Sequence, residues 1–358
     1  MSGPARRRRY LLVLAFLFAA PGIVLWFLDS DVLNFFVPVR ELALRGGLLG
    51  AALALGYLFS QPSGRLRAGV PAFLLVTFSV FVYVMAYGAY EERELTFESQ
   101  GERMSGTLYV PSGEGPHPAV VIAHGSIEAP RRIYHFWADG LVRDGVAVFS
   151  FDKRGTGKSG GVYESNNNAA ESNLRLLASD VAAAIRRLSQ EPDVQADRLG
   201  VVGISMGGWL GPIAAESNPE IAFLGFITGP TVSVGEENYY SSLAGDNGET
   251  EAIADQATID SLVAGEAPSG FDPRPLLARL DIPAFWLFGE TDSSIPTAKS
   301  EVVLDSLIAA GKPYRYRTFE GADHGGFVMG WPGELAPGFM DTLTAWTRET
   351  AAIAARGR

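Results

Sequence analysis

Three residues of this 358-residue chain have the types needed for covalent acyl transfer. Ser205 stands in the middle of Gly203-Ile-Ser-Met-Gly207, a G-x-S-x-G pattern. A serine hydroxyl is a weak nucleophile until a base takes its proton, and that base needs an acid to orient it. His324, in Glu320-Gly-Ala-Asp-His-Gly-Gly326, is the expected base. The chain has only four histidines. His117 lies between two prolines in an expected turn, His135 falls in an expected helix, and His124 ends an expected strand. His124 reads as structural, packing beneath the loop that follows it. Asp292, in Leu287-Phe-Gly-Glu-Thr-Asp-Ser-Ser-Ile-Pro296, is the expected acid, with Glu290 as the alternative. Asp323, beside His324, reads as a loop-shaping residue.

In a chain with 41 glycines a G-x-S-x-G match means little by itself, and an idle serine on a Gly-rich turn is the plain alternative. The elements around it give it weight. Leu199 to Ile204 is an apolar run of strand length, and Met206 to Ala215 reads as helix. Ser205 then sits on a strand-to-helix turn, with glycines where backbone and helix must approach closely. Leu95–Ser99 and Gly106–Val110 read as a hairpin, and Ala119–Ala123 and Val146–Phe151 as strands buried on both faces. Ile133–Arg143 reads as a helix. Leu174, Leu177, Val181, Ile185 and Leu188 make a helical apolar stripe that Pro192 stops. Ile221–Thr228, Ala284–Phe288 and Tyr314–Phe319 are further strands, with helices over Thr297–Ala310 and Glu334–Ala355. Alternation of this kind predicts a mostly parallel sheet with helices on both faces and an antiparallel leading hairpin. Ser205, Asp292 and His324 each fall at the carboxyl end of a strand, where such sheets place their chemistry.

The stretch around Ser205 resembles the nucleophile elbow of the serine α/β-hydrolases, and residues from about 95 to 350 resemble that superfamily. Its esterase and dienelactone-hydrolase-like or prolyl-oligopeptidase-like branches are nearest. Phe151-Asp-Lys-Arg-Gly-Thr-Gly-Lys-Ser-Gly160 resembles the D-x-R-G-x-G-x-S segment those enzymes carry. Asp152 and Arg154 read as loop-ordering residues. The Gly-x-Gly-Lys-Ser core lacks the spacing of a phosphate-binding loop. The resemblance implies an α/β-hydrolase fold and the chain order Ser, Asp, His. It also implies an oxyanion hole made by the backbone N–H of Met206 and one from the loop after Ala119–Ala123. In that loop Ser126 is the choice, with Gly125 or Ile127 also open.

Gly229–Asp281 interrupts the alternation with a polar, acidic insertion, helical near Thr250–Val263. It reads as a small cap or lid, the alternative being a surface excursion without function. Trp209, Tyr239, Tyr240 and Trp286 are candidates to line the site.

The first 90 residues differ in kind, and they carry most of the excess that makes mean hydropathy positive, at +0.12. Apolar runs of spanning length occur at 10–28, 42–60 and 69–90, with charges at their flanks. They read as three transmembrane helices forming a membrane anchor over 1–90, followed by a hydrolase domain over 91–358. Arg6 to Arg9, Arg65 and Arg67 share one side. The positive-inside rule then puts the N-terminus in the cytoplasm and the hydrolase domain on the outer face, in the plasma membrane of a bacterium.

A net charge of −11 argues against nucleic acid as a partner, and the absence of cysteine excludes disulfides, thiolate metal sites and a cysteine nucleophile. No cofactor or metal is expected. The expected partners are membrane lipid and a small-molecule or lipid-like acyl substrate. The reading is a membrane-anchored serine hydrolase cleaving carboxylic esters or thioesters through an acyl-enzyme at Ser205. The alternatives are peptidase or acyltransferase chemistry on the same triad, or a non-catalytic membrane sensor or scaffold.

Overall fold

The computed structural model describes residues 90–165, 169–328 and 334–354. The chain divides into Met1–Glu91 and Glu92–Arg358, and the described residues belong almost wholly to the second unit. Strands β1 (Tyr90–Ser99) and β2 (Glu102–Pro111) form the leading hairpin, longer at both ends than its sequence suggests. Its turn is Gln100-Gly101, with φ of 50° and 78°. Left-handed backbone at both turn positions matches the right-handed twist of the flanking strands. Tyr90, expected to close the third apolar run, is instead the first residue of β1. An aromatic suits a half-buried pleated edge as well as a membrane interface, so the residue type did not decide between them. The expected spans at 10–28, 42–60 and 69–89 lie outside the described residues. Among the described residues no helix is long and apolar enough to cross a membrane.

Strand β3 (His117–Ala123) follows, starting at the histidine expected in a turn, whose N–H donates to the Asp193 carbonyl at 2.7 Å. A 3₁₀ turn (Arg131–Tyr134) then leads into helix α1 (His135–Arg143). Strand β4 (Ala147–Phe151), helix α2 (Glu171–Leu188), strand β5 (Val194–Ile204), helix α3 (Gly207–Ser217) and strand β6 (Ile221–Ile227) continue the alternation. The cap segment carries α4 (Val234–Ala244), α5 (Gln256–Ala264) and the short α6 (Arg274–Leu277). Strand β7 (Ala284–Gly289), helix α7 (Thr297–Ala309) and strand β8 (Tyr314–Phe319) complete the main sheet. Two short strands, β9 (Phe327–Val328) and β10 (Glu334–Leu335), pair antiparallel, and helix α8 (Phe339–Ala354) follows. The last helix is therefore shorter than the Glu334–Ala355 expected. Pro337-Gly338 stops it from starting earlier, since Gly338 has φ 77°.

The eight strands run in the order β1-β2-β4-β3-β5-β6-β7-β8. Strand β2 is antiparallel to β4, and every pair from β4 to β8 is parallel. Alternate residues feed two separate layers. Val201, Leu224 and Phe226 join a core with residues of α2 and α3. Phe223 and Phe285 instead stack on Trp346 of α8, with ring centroids 5.8 and 5.4 Å away. Burial on both faces explains why these strands read as continuous apolar runs.

The insertion over 229–281 has more helix than its composition suggests. Helix α4 begins at a capping box, in which the Ser233 hydroxyl accepts from the Glu236 N–H and the Glu236 carboxylate accepts from the Ser233 N–H. Arg274 and Lys299 both pair with Glu236, tying α4 to α6 and α7.

Candidate active site

The chain leaves β5 at Ile204 and enters α3 at Gly207, with Ser205 between them at φ 51°. Left-handed backbone at a non-glycine residue is strained. The strain is held by hydrogen bonds on either side: the Ser205 N–H donates to the Ile227 carbonyl at 3.0 Å, and the Ser205 carbonyl accepts from Gly208 at 2.7 Å. The glycines have measurable reasons. A Cβ on Gly207 would lie 2.6 Å from the Ala123 carbonyl oxygen, and one on Gly208 would lie 2.7 Å from the Gly229 Cα. Ser205 is half-buried and remains reachable. Met206 is buried and caps α3, at the helix end where the dipole is positive.

His324 and Asp292 come together from different loops, 2.9 Å apart from Nδ1 to Oδ2. The other carboxylate oxygen of Asp292 accepts N–H bonds from Ser294 and Ile295, both at 2.8 Å. An acceptor held in this way makes the ring's Nδ1–H the donor and leaves Nε2 with its lone pair. The Asp292 side chain is fully enclosed, whereas that of His324 keeps 19% exposure. Burial alone would lower the His324 pKa. The Asp292 charge and hydrogen bond, with Glu237 and Asp323 adding to them, outweigh it and raise the pKa above its ordinary value.

The other acids in these loops have local tasks. The Glu290 carboxylate accepts from the Gly321 N–H, and Asp323 accepts from Gly325 and Phe327. A Cβ on Gly289 would lie 2.3 Å from the Asp323 carbonyl oxygen, so β7 and the loop that carries His324 meet backbone to backbone.

The loop after β3 lies against the elbow, since a Cβ on Gly125 would be 3.6 Å from the Ser205 Cβ. The Gly125 N–H already donates to the Tyr134 hydroxyl at 3.0 Å, which removes it from the alternatives to Ser126. His124 is buried beneath that loop, with Nε2 2.6 Å from the Phe151 carbonyl and its ring against Phe151 and Tyr134. Burial, with the Lys153 charge adding to it, pushes its pKa down to about 3. A neutral ring that donates to a carbonyl is a structural one. Asp152 gathers the Arg131 N–H and guanidinium and the Lys158 N–H, while Arg154 is buried against both oxygens of Asp180. Lys158, the lysine of the false phosphate-loop pattern, points outward to Glu94. Among the described residues no group of three or more His, Asp and Glu is placed to hold a metal ion.

Two of the proposed lining residues are core residues instead. Trp286 lies in β7 between Phe226 and Tyr314, and Trp209 donates its indole N–H to the Val232 carbonyl. Both alternate inward from strand or helix, which isolated residue types do not reveal. Tyr240 stands behind the acid, donating its hydroxyl to the Asp292 carbonyl.

Two residues near His324 escaped the sequence reading. Thr228, at the end of β6 with φ 47°, donates its hydroxyl to the His324 carbonyl at 2.7 Å. Glu237, in the first turn of α4, is half-buried and coupled electrostatically to His324, Asp246 and Asp292. Burial, with the two aspartates adding to it against His324, pushes its pKa up to about 8. The Ser233-x-x-Glu236 capping signal could have located α4, though not the residue it turns toward the site.

Sheet order, elbow and loop placement define the α/β-hydrolase fold. The family model described as "Serine aminopeptidase, S33" matches residues 114–249. Esterase EstD of Thermotoga maritima is 27% identical over 243 residues, covering 61% of this chain and 56% of that protein. The chain thus spans about half the length of that curated relative. Among solved structures, an acylaminoacyl peptidase of Pyrococcus horikoshii superposes with a TM-score of 0.51 at 17% identity, covering 69% of this chain and 39% of that one. A hyperthermophilic esterase of Pyrobaculum calidifontis superposes with a TM-score of 0.52 at 15% identity, covering 77% and 91%. At these identities the structures bear on fold alone. The sequence relatives support a hydrolase of the α/β type.

Proposed function

We propose that this protein is a serine hydrolase that cleaves carboxylic ester or thioester bonds through an acyl-enzyme at Ser205. The observation that supports the reading is the His324–Asp292 hydrogen bond, taken together with the left-handed, half-buried Ser205 on the turn between β5 and α3. His324 Nε2 takes the Ser205 proton as Oγ attacks the substrate carbonyl, and returns it to the leaving alcohol or thiol. Asp292 holds the ring in the tautomer that frees Nε2 and stabilises the imidazolium as it forms. The N–H groups of Met206 and Ser126 receive the developing oxyanion. Water then repeats the sequence on the acyl-enzyme, with His324 again the base.

The names of the relatives include both esterase and peptidase, and the same machinery serves either bond. The apolar runs at 10–28, 42–60 and 69–90 support a membrane-anchored enzyme, with a hydrolase domain over 91–358 on the outer face. Such an anchor favours lipid-like acyl substrates by proximity.

The test is turnover of short-chain p-nitrophenyl esters by the full-length protein in mild detergent, with Ser205→Ala beside it. Ser205-dependent turnover is expected, together with labelling of Ser205 by a fluorophosphonate. Equal turnover by the two proteins overturns the assignment.

A further inference from the structure

The loop after β3 is held by side chains at four successive peptide units. The Gly125 N–H donates to Tyr134, and the Gly125 carbonyl accepts from Lys153 Nζ. The Ser126 carbonyl accepts from the Tyr163 hydroxyl. The Ile127 carbonyl accepts from the same Lys153 Nζ at 2.9 Å. A trans peptide unit is planar, with its C=O and N–H pointing in opposite directions. The Gly125 carbonyl and the Ser126 N–H belong to one such unit, so fixing the first sets the direction of the second.

Lys153 is fully buried and, among the described residues, forms no ion pair. Its ammonium donates to the two loop carbonyls and lies over the face of Tyr163, 5.2 Å from the ring centroid. Burying an amine without a carboxylate is costly, and burial pushes its pKa down to about 7. Two charge-assisted bonds and a cation–π contact offset that cost, and all of them converge on the loop that lies against Ser205.

We propose that Lys153, assisted by Tyr163, is a positioning residue for oxyanion stabilisation, holding the peptide unit that carries the Ser126 N–H in the direction the oxyanion requires. This rests on the reading of Ser205 as nucleophile. The segment Asp152-Lys-Arg154 then does more than order its own loop, because the lysine between the two loop-ordering residues reaches across to the oxyanion side. Lys153 touches no reacting atom and acts only through the backbone of residues 125 to 127.

The test uses the full-length protein in detergent and compares wild type, Lys153→Met, Tyr163→Phe and the double variant on p-nitrophenyl butyrate. Methionine keeps the apolar stem, one atom shorter, and removes both hydrogen bonds of the amine, while phenylalanine removes a single hydroxyl. Misdirecting an oxyanion donor should lower kcat about ten- to a hundredfold in Lys153→Met and about threefold or more in Tyr163→Phe. KM should stay within about twofold in both, and kcat is taken per active site titrated with a fluorophosphonate, so that a smaller folded fraction does not pass for a slower enzyme. Amide hydrogen exchange across residues 124 to 128 should quicken in both variants. Wild-type kcat in a folded Lys153→Met protein overturns the proposal. Should that variant fail to fold, wild-type kcat in Tyr163→Phe overturns it instead. If wild type shows no Ser205-dependent turnover, the functional reading fails, and exchange then decides: unchanged exchange at 124 to 128 overturns the positioning role.

Discussion

A methyl group on Gly203 would lie 2.5 Å from the carbonyl oxygen of Gly207. The two glycines that flank Ser205 touch across the turn, so β5 and α3 meet with no side chain between them. No Cβ fits at that distance unless the backbone moves, and the backbone that would move carries Ser205. Gly203→Ala is expected to lower stability by about 1–3 kcal/mol, the usual cost of overpacking. It should also lower kcat/KM. Thermal unfolding and ester turnover on the same preparation check this, and a native melting temperature with full activity would contradict it.

The Asp292 carboxylate has one oxygen on the ring and the other on two backbone N–H groups. Asp292→Asn keeps the shape and loses the charge that selects the tautomer. kcat is expected to fall about three to four orders of magnitude while the protein stays folded. The check is kcat together with circular dichroism. A fall of less than tenfold would remove Asp292 from the acid's role.

The raised pKa of His324 shapes the pH profile. The base works when neutral, so kcat/KM should rise through a midpoint above the ordinary histidine value of about 6.5. Glu237 is one of the groups raising it, so Glu237→Gln should move that midpoint to lower pH. An unchanged midpoint would mean that the two groups are not coupled.

Stability offers a second readout for Glu237. Its folded pKa of about 8 lies above the ordinary 4.5, so the folded state holds the proton more tightly than the unfolded chain. Its contribution is fully present below about 4.5 and is lost as pH rises toward 8. Glu237→Gln removes that titration. It should raise the melting temperature above pH 8 and change it little near pH 4, and the reverse pattern would count against burial of the carboxyl.

Arg154 and Asp180 form an ion pair with almost no exposed surface, at 6% and 1% of their side chains. Asp180→Asn leaves the guanidinium buried without its countercharge. A loss of about 3–5 kcal/mol in denaturant unfolding is expected, with KM unchanged in the folded fraction. A loss under about 1 kcal/mol would mean that water reaches the arginine.

The alternating apolar runs made the parallel sheet legible, because a strand buried on both faces must be apolar throughout. Gly203 and Gly207 were legible as steric necessities, and the positions of Ser205, Asp292 and His324 at strand ends followed from chain order and turn chemistry. Helix α4 was not legible in the polar composition of the cap, and its capping box was the only local trace. Trp286 could not be told from a site residue, because a tryptophan at a strand position faces the core or the cleft according to register alone. By itself the sequence determined the strands and the glycine-flanked turn at Ser205, since each depends on residues within a few positions of one another. Only the tertiary structure decided that Thr228 holds the His324 backbone, that Glu237 is half-buried and interacts electrostatically with His324, and that Lys153 reaches the loop beside Ser205. Those contacts join residues far apart in the chain, and burial, charge and direction at such distances come from packing rather than from local spacing.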